Sequence, residues 1–260
     1  MIQLISTDFD GTLIGGFPGG RCSPDLADAL VKFKQTGGRW AINTGRDFTF
    51  ALTGINLFAA PVAPDFLMTN ERELYRWHDC GQWVDYGDWN ERCRAVHEAL
   101  YCDTAPFFQQ CEARLREITG IELVYDSRGQ FVSIAAATHA ILDEAVALIS
   151  EMIPAWQNLS FERSDFYLRF CHRDYHKGNS LAELCRLEKL RPEEVFATGD
   201  QPNDLPMLTP EVAAFLACPA NAIESVQLAV ARHGGFVAAR SHGDGVADAL
   251  KHFLKKHNKK

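Results

Sequence analysis

Short apolar runs rich in β-branched residues alternate with stretches of helical spacing, early in the chain and again late. No other feature constrains the fold as much. The first run, Ile2 to Thr7, stops at an Asp/Gly cluster and reads as a buried strand ending in a loop. Ser23-Pro24 then opens a helix, with an N-cap followed by proline at the first helical position, and Leu26, Ala29, Leu30 and Phe33 line one face. Gly37-Gly38 stops it, Trp40 to Ile42 forms a second strand, a helix starts near Asp47, and Phe66 to Thr69 forms a third strand. Strand, helix, strand is the rhythm of a parallel sheet covered by helices.

The rhythm resumes at Lys177, where Leu181, Leu184, Cys185 and Leu187 have helical spacing. Strands follow at Val195–Thr198, Ala213–Ala217 and Phe236–Ala238, and helices near Leu205–Leu208, at Asn221–Ala231 and at Val246–Lys255. Between the two halves the character changes. Two helical stretches (91–101 and 107–118) precede strands 121–125 and 131–135, a helix 139–152 and a hairpin-like pair, 159–163 and 166–171. That pattern predicts helices packed on a mostly antiparallel sheet. The expected organisation is therefore an α/β, doubly wound, mainly parallel Rossmann-like core (1–79 and 172–260) with an inserted α+β cap domain (80–171).

At 260 residues the chain can bury a sizeable core without staples. Its net charge of −8 offers no basic field for nucleic acid or anionic lipid, so an anionic ligand needs local positive partners. No stretch approaches the roughly 20 apolar residues of a membrane span. The N-terminus lacks a basic start and soon meets two aspartates, unlike a signal peptide. The eight cysteines are scattered without a C-x-x-C pair, which points to reduced thiols and a cytoplasmic setting rather than a disulfide or zinc framework. The Lys-rich tail after Phe253 reads as a solvated helix end.

Four clusters fall at the ends of core strands or at helix starts, where open α/β sheets bind ligands. Asp8-Phe9-Asp10-Gly11-Thr12 sets two carboxylates two residues apart, one able to attack while the other handles a proton; the alternative is a plain Asp/Gly turn. Asn43-Thr44-Gly45-Arg46 offers a hydroxyl and free backbone N–H groups as a phosphate seat, or else an N-cap and turn. Lys177, in His176-Lys177-Gly178, opposes the helix dipole unless an anion lies there, or else is a solvated surface lysine. In Gly199-Asp200-Gln201-Pro202-Asn203-Asp204 two acids supply hard oxygen ligands of the kind Mg2+ takes; Asp204 could equally cap the following helix.

Together, D-x-D-G-T, T-G-R, K-G and G-D-x-x-N-D-x-x-M-L resemble the haloacid dehalogenase superfamily. Pro219-Ala220-Asn221-Ala222 and Asp244-Gly245-Val246-Ala247 are similar to the Cof-like phosphatase branch with a type-II, B-subtype cap. Only about ten residues separate Leu13 from Ser23, so a cap must be the later insertion. Pro64 to Asn70 also resembles sucrose-phosphatase relatives, without naming a substrate. Gln201-Pro202 departs from the family's small, glycine-containing pair, which implies an altered loop shape with the acids intact.

The resemblance implies a magnesium-dependent phosphatase acting on a small phosphate monoester, a sugar phosphate or similar metabolite. Asp8 would be the nucleophile that becomes an aspartyl-phosphate and Asp10 the acid and base. Mg2+ would sit on the Asp8 carboxylate, the Asp10 carbonyl and Asp200, oriented by Asn203 and Asp204. Gly11, Thr44, Gly45, Arg46 and Lys177 would hold the phosphoryl group. A phosphomutase of the same family is the alternative reaction. A phospho-receiver domain is the non-enzymatic one, although receivers lack the second aspartate and the 90-residue insertion. In the insertion, the alternation at 166–171 puts Phe166, Leu168 and Phe170 on one face and Tyr167, Arg169 and Cys171 on the other. Tyr167 and Arg169 are therefore expected to meet the part of the substrate that is not phosphate. Neither nucleic acid nor membrane is an expected partner, and the sequence leaves the oligomeric state open.

Overall fold

The computed structural model describes residues 1–15 and 20–257; the end of the Lys-rich tail and part of the loop after Leu13 lie outside them. Two compact units result: Met1–Asn90 with Lys177–Lys260, and Glu91–His176.

The first unit is built on one eight-stranded sheet. Its strands are β1 (Leu4–Thr7), β2 (Arg39–Asn43), β3 (Phe66–Thr69), β4 (Glu73–His78) and β5 (Gln82–Asp85), then β10 (Val195–Thr198), β11 (Phe215–Cys218) and β12 (Phe236–Val237). The spatial order is β12-β11-β10-β1-β2-β3-β4-β5, so β1 is central, with Leu4 level with both Val195 and Arg39. The six strands from β12 to β3 run parallel, while β4 and β5 are antiparallel. Adjacent residues of β1, Leu4 and Ile5, are both fully buried, as are Ala41 and Ile42 in β2, so both faces of the sheet are covered.

Helices α1 (Pro24–Gln35), α2 (Phe48–Phe58) and α8 (His242–His257) share one cluster with Ile5, Trp40, Ile42, Leu67 and Phe196. Ser23 caps α1 by accepting from the Leu26 amide, and Asp47 caps α2 by accepting from Phe50, the start signals read in the sequence. Helices α6 (Lys177–Glu188) and α7 (Glu224–Arg232) complete the unit. The helix expected near Leu205 is a 3-10 turn, Pro202–Met207, because Pro206 removes an amide from the run.

The core extends further than residue 79. The hairpin of β4 and β5 pairs onto β3, with Phe66 opposite Arg76 and Tyr75 opposite Asp85, and draws the chain through Asn90 into the sheet. Asn90 fixes the junction by accepting from the Leu74 amide and donating to the Leu74 carbonyl. The return to the core falls at Lys177 rather than at residue 172.

The second unit packs α3 (Trp89–Asp103, which starts in the first unit), α4 (Ala105–Leu115) and α5 (His139–Met152) with a four-stranded antiparallel sheet. Its strands are β6 (Ile121–Tyr125), β7 (Phe131–Ala136), β8 (Leu159–Ser164) and β9 (Tyr167–His172), in the order β6-β7-β9-β8. Leu168 and Phe170 of β9 enter a cluster with Phe107, Phe108, Phe131 and Ile134. Phe166 does not join them. It precedes β9 beside Asp165 (φ 49°), is 40% exposed, and stacks on His139 with ring centroids 4.1 Å apart.

Candidate active site

The parallel strands β1, β2 and β10 release the chain at adjacent points of one sheet edge, and three of the four sequence clusters begin there. Asp8 follows Thr7, and its amide donates to the carbonyl of Thr198 at the end of β10, 3.0 Å away. The chain then turns sharply at Gly11 (φ 79°), where a Cβ would come within 2.2 Å of an Asp200 carboxylate oxygen. Only glycine fits there. Asn221 Nδ2 donates to the Gly11 carbonyl at 2.7 Å, the His242 ring nitrogen approaches the same oxygen at 2.9 Å, and the His242 amide donates to Asn221 Oδ1. The Pro219–Ala222 segment noted in the sequence thus acquires a role as the brace of the Asp8–Thr12 loop.

Lys177 arrives from the fourth direction, at the start of α6, and is 1% exposed. Its ammonium donates to Asp8 Oδ1 at 2.7 Å and to Asp204 Oδ1 at 2.6 Å. These carboxylates are the anions that its unfavourable place at a helix N-terminus demands. Burial pulls its pKa down, but Asp204, Asp8 and Glu71 together hold it above the ordinary lysine range, so it is a permanent cation.

The acids outnumber it. Asp8, Asp200 and Asp204 are buried, and one ligand oxygen from each lies within 4.8 Å of the others. Burial, then repulsion from Asp204 and Asp200 against the opposing pull of Lys177, raises the Asp8 carboxyl well above the usual range. Burial and Asp204 likewise push Asp200 up to about 6. Carboxylates crowded this way are relieved by a bound divalent cation, and all-oxygen donors suit a hard one. The hydrogen bonds sort their roles. Asp204 engages both oxygens internally, one with Lys177 and the other accepting from the Asp200 and Gln201 amides. Asp200 accepts from Thr12 Oγ1 at 2.6 Å and from Gln201 Nε2 at 3.3 Å. Among the described residues, Lys177 donates the hydrogen bond that engages the Asp8 carboxylate, at Oδ1. Asn203 Oδ1 is buried with no hydrogen-bond partner among the described residues, an acceptor suited to water on a bound ion. The donor set therefore fits a cation on Asp8 and Asp200, with Asp204 as a brace.

Thr44 lies at the end of β2, 1% exposed, and its hydroxyl oxygen accepts from the Arg46 amide at 3.2 Å. Arg46 is expected to help seat the phosphoryl group but is engaged elsewhere. Its Nε and Nη2 donate to the two oxygens of Asp10 at 2.7 and 2.6 Å, and Nη1 reaches the Phe50 carbonyl at 3.5 Å. The guanidinium carbon lies 4.8 and 4.3 Å from the Phe9 and Phe50 ring centres. Gly54 in α2 makes room for it, since a Cβ there would fall 2.1 Å from Nη1. Asp10 is thus clamped in a bidentate pair, with its own side chain 43% exposed.

Sequence reasoning missed Glu71, buried beside Thr44-Gly45 and accepting from Asn203 Nδ2 at 2.7 Å. It also missed the ties of Thr12 and Asn221, although both lie within segments it singled out. In the second unit, Tyr167 and Arg169 share a sheet face with Ser133, as the alternation predicts. Tyr167 donates to Ser133 Oγ at 2.6 Å and Arg169 reaches the Tyr167 oxygen at 3.4 Å.

A doubly wound sheet with paired acids after its central strand, a buried lysine at a helix start and an acidic loop after the neighbouring strand defines a class of hydrolase. The sequence profile of the haloacid dehalogenase-like hydrolases matches residues 122–250, and the chain belongs to that family. The matched residues take in Lys177, Asp200 and Asp204 but begin after the Asp8 loop. A phosphoglycolate phosphatase of Thermoplasma volcanium is 36% identical over 77 residues, 30% of this chain and 32% of that protein. One of Methanoculleus marisnigri is 29% identical over 135 residues, 52% of this chain and 54% of that protein. The chain thus spans about a third and about half the length of these two relatives. Sucrose-phosphatase of Synechocystis, solved with sucrose and phosphate, matches with a TM-score of 0.65 at 18% identity, over 97% of this chain and 98% of that one. That likeness establishes a shared fold. Among the described residues no helix is long and apolar enough to cross a membrane.

Proposed function

We propose that the protein is a Mg2+-dependent phosphatase that hydrolyses a small phosphate monoester through an aspartyl-phosphate on Asp8. The observation that carries this reading is the buried Asp8 held by Lys177 beside Asp200 and Asp204. Four carboxylates, Glu71 included, surround one lysine, and this field repels a phosphate dianion unless a cation joins it. A bound Mg2+ supplies the positive charge that lets the two anions meet.

The rest follows from the side chains. Asp8, with Lys177 fixing one of its oxygens, attacks phosphorus with the other. Lys177 has three donors and gives two to Asp8 and Asp204, so the third remains for a phosphoryl oxygen, with the Thr44 hydroxyl and the Gly45 amide as companions. Asp10, starting the cycle as the carboxylic acid, gives its proton to the leaving oxygen and as the resulting carboxylate takes one back from the attacking water, while Arg46 keeps its carboxyl group aimed. Asn203 and Asp204 hold the acidic loop in place.

A sugar phosphate or similar metabolite is the proposed substrate class, supported by relatives named phosphoglycolate phosphatase and the fold neighbour named sucrose-phosphatase. Tyr167 and Arg169, on a polar sheet face with Ser133 and Glu162, are the proposed contacts for its non-phosphate part. The eight free cysteines suit a reducing compartment, the cytoplasm. The test is release of inorganic phosphate from a panel of sugar phosphates, phosphorylated acids and nucleotides, with Mg2+ or with excess EDTA. Turnover confined to the Mg2+ arm is expected. Full turnover in EDTA, or none on any ester, contradicts the reading.

A further inference from the structure

Glu71 occupies a backbone conformation that its side chain makes costly. Residues 69–72 form the turn between β3 and β4, closed by the Arg72 amide donating to the Thr69 carbonyl at 3.0 Å. Both central residues are left-handed, Asn70 at φ 51° and Glu71 at φ 65°. Such turns favour asparagine then glycine, because glycine alone adopts positive φ without penalty. Here the second position carries a glutamate that is only 5% exposed. Strain of this kind persists where the surroundings over-determine it.

The surroundings are the catalytic loops. The Glu71 amide donates to the Thr44 carbonyl at 3.0 Å and the Asn70 amide to the Arg46 carbonyl at 2.8 Å, which pins the turn to the phosphate-seat loop. The side chain lies over that loop, with Oε1 3.1 Å from where a Cβ on Gly45 would stand. The same Oε1 accepts from Asn203 Nδ2 at 2.7 Å. Oε1 is the acceptor in that contact, so the Asn203 amide turns its nitrogen end to Glu71. Oδ1, at the other end of the same amide, is buried with no hydrogen-bond partner among the described residues and points away from Glu71.

We propose that Glu71 is a positioning residue that orients Asn203 so that its carbonyl faces the ion site, and ties the acidic loop to the phosphate-seat loop. This rests on the reading of the site as a Mg2+-dependent phosphatase, but its melting and Mg2+-affinity measurements need no turnover. Glu71→Gly, Glu71→Ala, Asn203→Ala and the Glu71→Ala/Asn203→Ala double variant are compared in kcat on p-nitrophenyl phosphate, in melting temperature and in Mg2+ affinity by calorimetry. The expectation for Glu71→Gly and Glu71→Ala is an equal loss, about tenfold, in both kcat and Mg2+ affinity. Glu71→Gly nevertheless melts higher than Glu71→Ala, since only glycine suits that φ. The double variant is no worse than Asn203→Ala alone. A kcat that tracks melting temperature across the Glu71 variants, or losses that multiply in the double variant, would overturn the proposal. A wild type without turnover whose Mg2+ affinity still falls with Glu71 would sink the phosphatase reading and leave this one standing. Unchanged Mg2+ affinity in the Glu71 variants overturns it whatever the turnover.

Discussion

The two units bury opposite kinds of side chain. At the edge of the eight-stranded sheet the first unit buries Asp8, Asp200, Asp204, Glu71, Lys177 and Arg46, each at most 8% exposed. The second fills its interior with Phe107, Phe108, Phe131 and Phe170, packed edge to face at 5.2 to 5.7 Å, and puts Tyr167, Arg169 and Ser133 on one face of its sheet. Burying charge is costly unless it is paired and hydrogen-bonded, whereas aromatic burial stabilises outright. The first unit accepts that cost where charge must act on a ligand. The second is secured by its aromatic cluster, which leaves its polar face out of the packing that holds the fold.

The largest effect that would break this contrast is removal of the lysine shared by the buried Asp8 and Asp204. Lys177→Met leaves Asp8 and Asp204 without their partner, which costs about 3–5 kcal/mol of stability. Phosphate release should fall by about a hundredfold or more with it. Chemical denaturation checks the first expectation and initial rates the second. A variant as stable as wild type would show that the cluster is not held together by charge.

Gly54→Ala probes the clamp on Asp10 without touching Asp8 or Asp10 itself. The added methyl would collide with Arg46 and with the Phe9 ring and displace the guanidinium. Hydrolysis of an alkyl phosphate should drop by about a hundredfold, because its poor leaving group needs the acid, and that of p-nitrophenyl phosphate only a few-fold. Equal losses on both esters would separate Arg46 from proton transfer.

A smaller effect follows from the raised pKa of Asp200, about 6 when folded. A carboxyl raised on folding destabilises little below its unfolded pKa of 3.8; the cost grows as pH climbs towards 6 and is complete above it. Mg2+ binds the ionised form, so its gain in melting temperature should be larger at about pH 7.5 than at about pH 5. A gain independent of pH would mean that the ion binds elsewhere. The smallest effect belongs to the second unit. Arg169→Ala should raise KM or reorder substrates a few-fold while Mg2+ dependence stays as it was. An unchanged ranking would remove Arg169 from substrate recognition.

How much of this was legible depends on locality. Asp8, Thr44, Lys177 and Asp200 could be read because each lies within two residues of the end of a core strand or opens a helix, where a few consecutive residues set geometry and chemistry together. Ser23 and Asp47 announced α1 and α2 for the same reason. The β4–β5 hairpin was lost because half of β4 is solvent-exposed, so Arg76 and His78 blur its alternation. Phe166 misled because the alternation cannot tell a strand residue from one in the preceding turn. Arg46 could be placed near the site but not on Asp10, since the space for it comes from Gly54 in the next helix. Glu71 was invisible for a similar reason. Its partner Asn203 is 132 residues away, and its clearest mark is a left-handed φ that sequence does not display.

The central claim is that Asp8 carries the phosphoryl group. The direct measurement is a rapid acid quench of the Asp10→Asn variant after mixing with Mg2+ and an aryl phosphate labelled with 32P, followed by peptide mapping. The account predicts label on the peptide containing Asp8, released by hydroxylamine as an acyl phosphate is, and none in the Asp8→Asn variant. An active wild type whose Asp10→Asn variant yields no labelled peptide, together with an Asp8→Asn variant that still turns over, would contradict it.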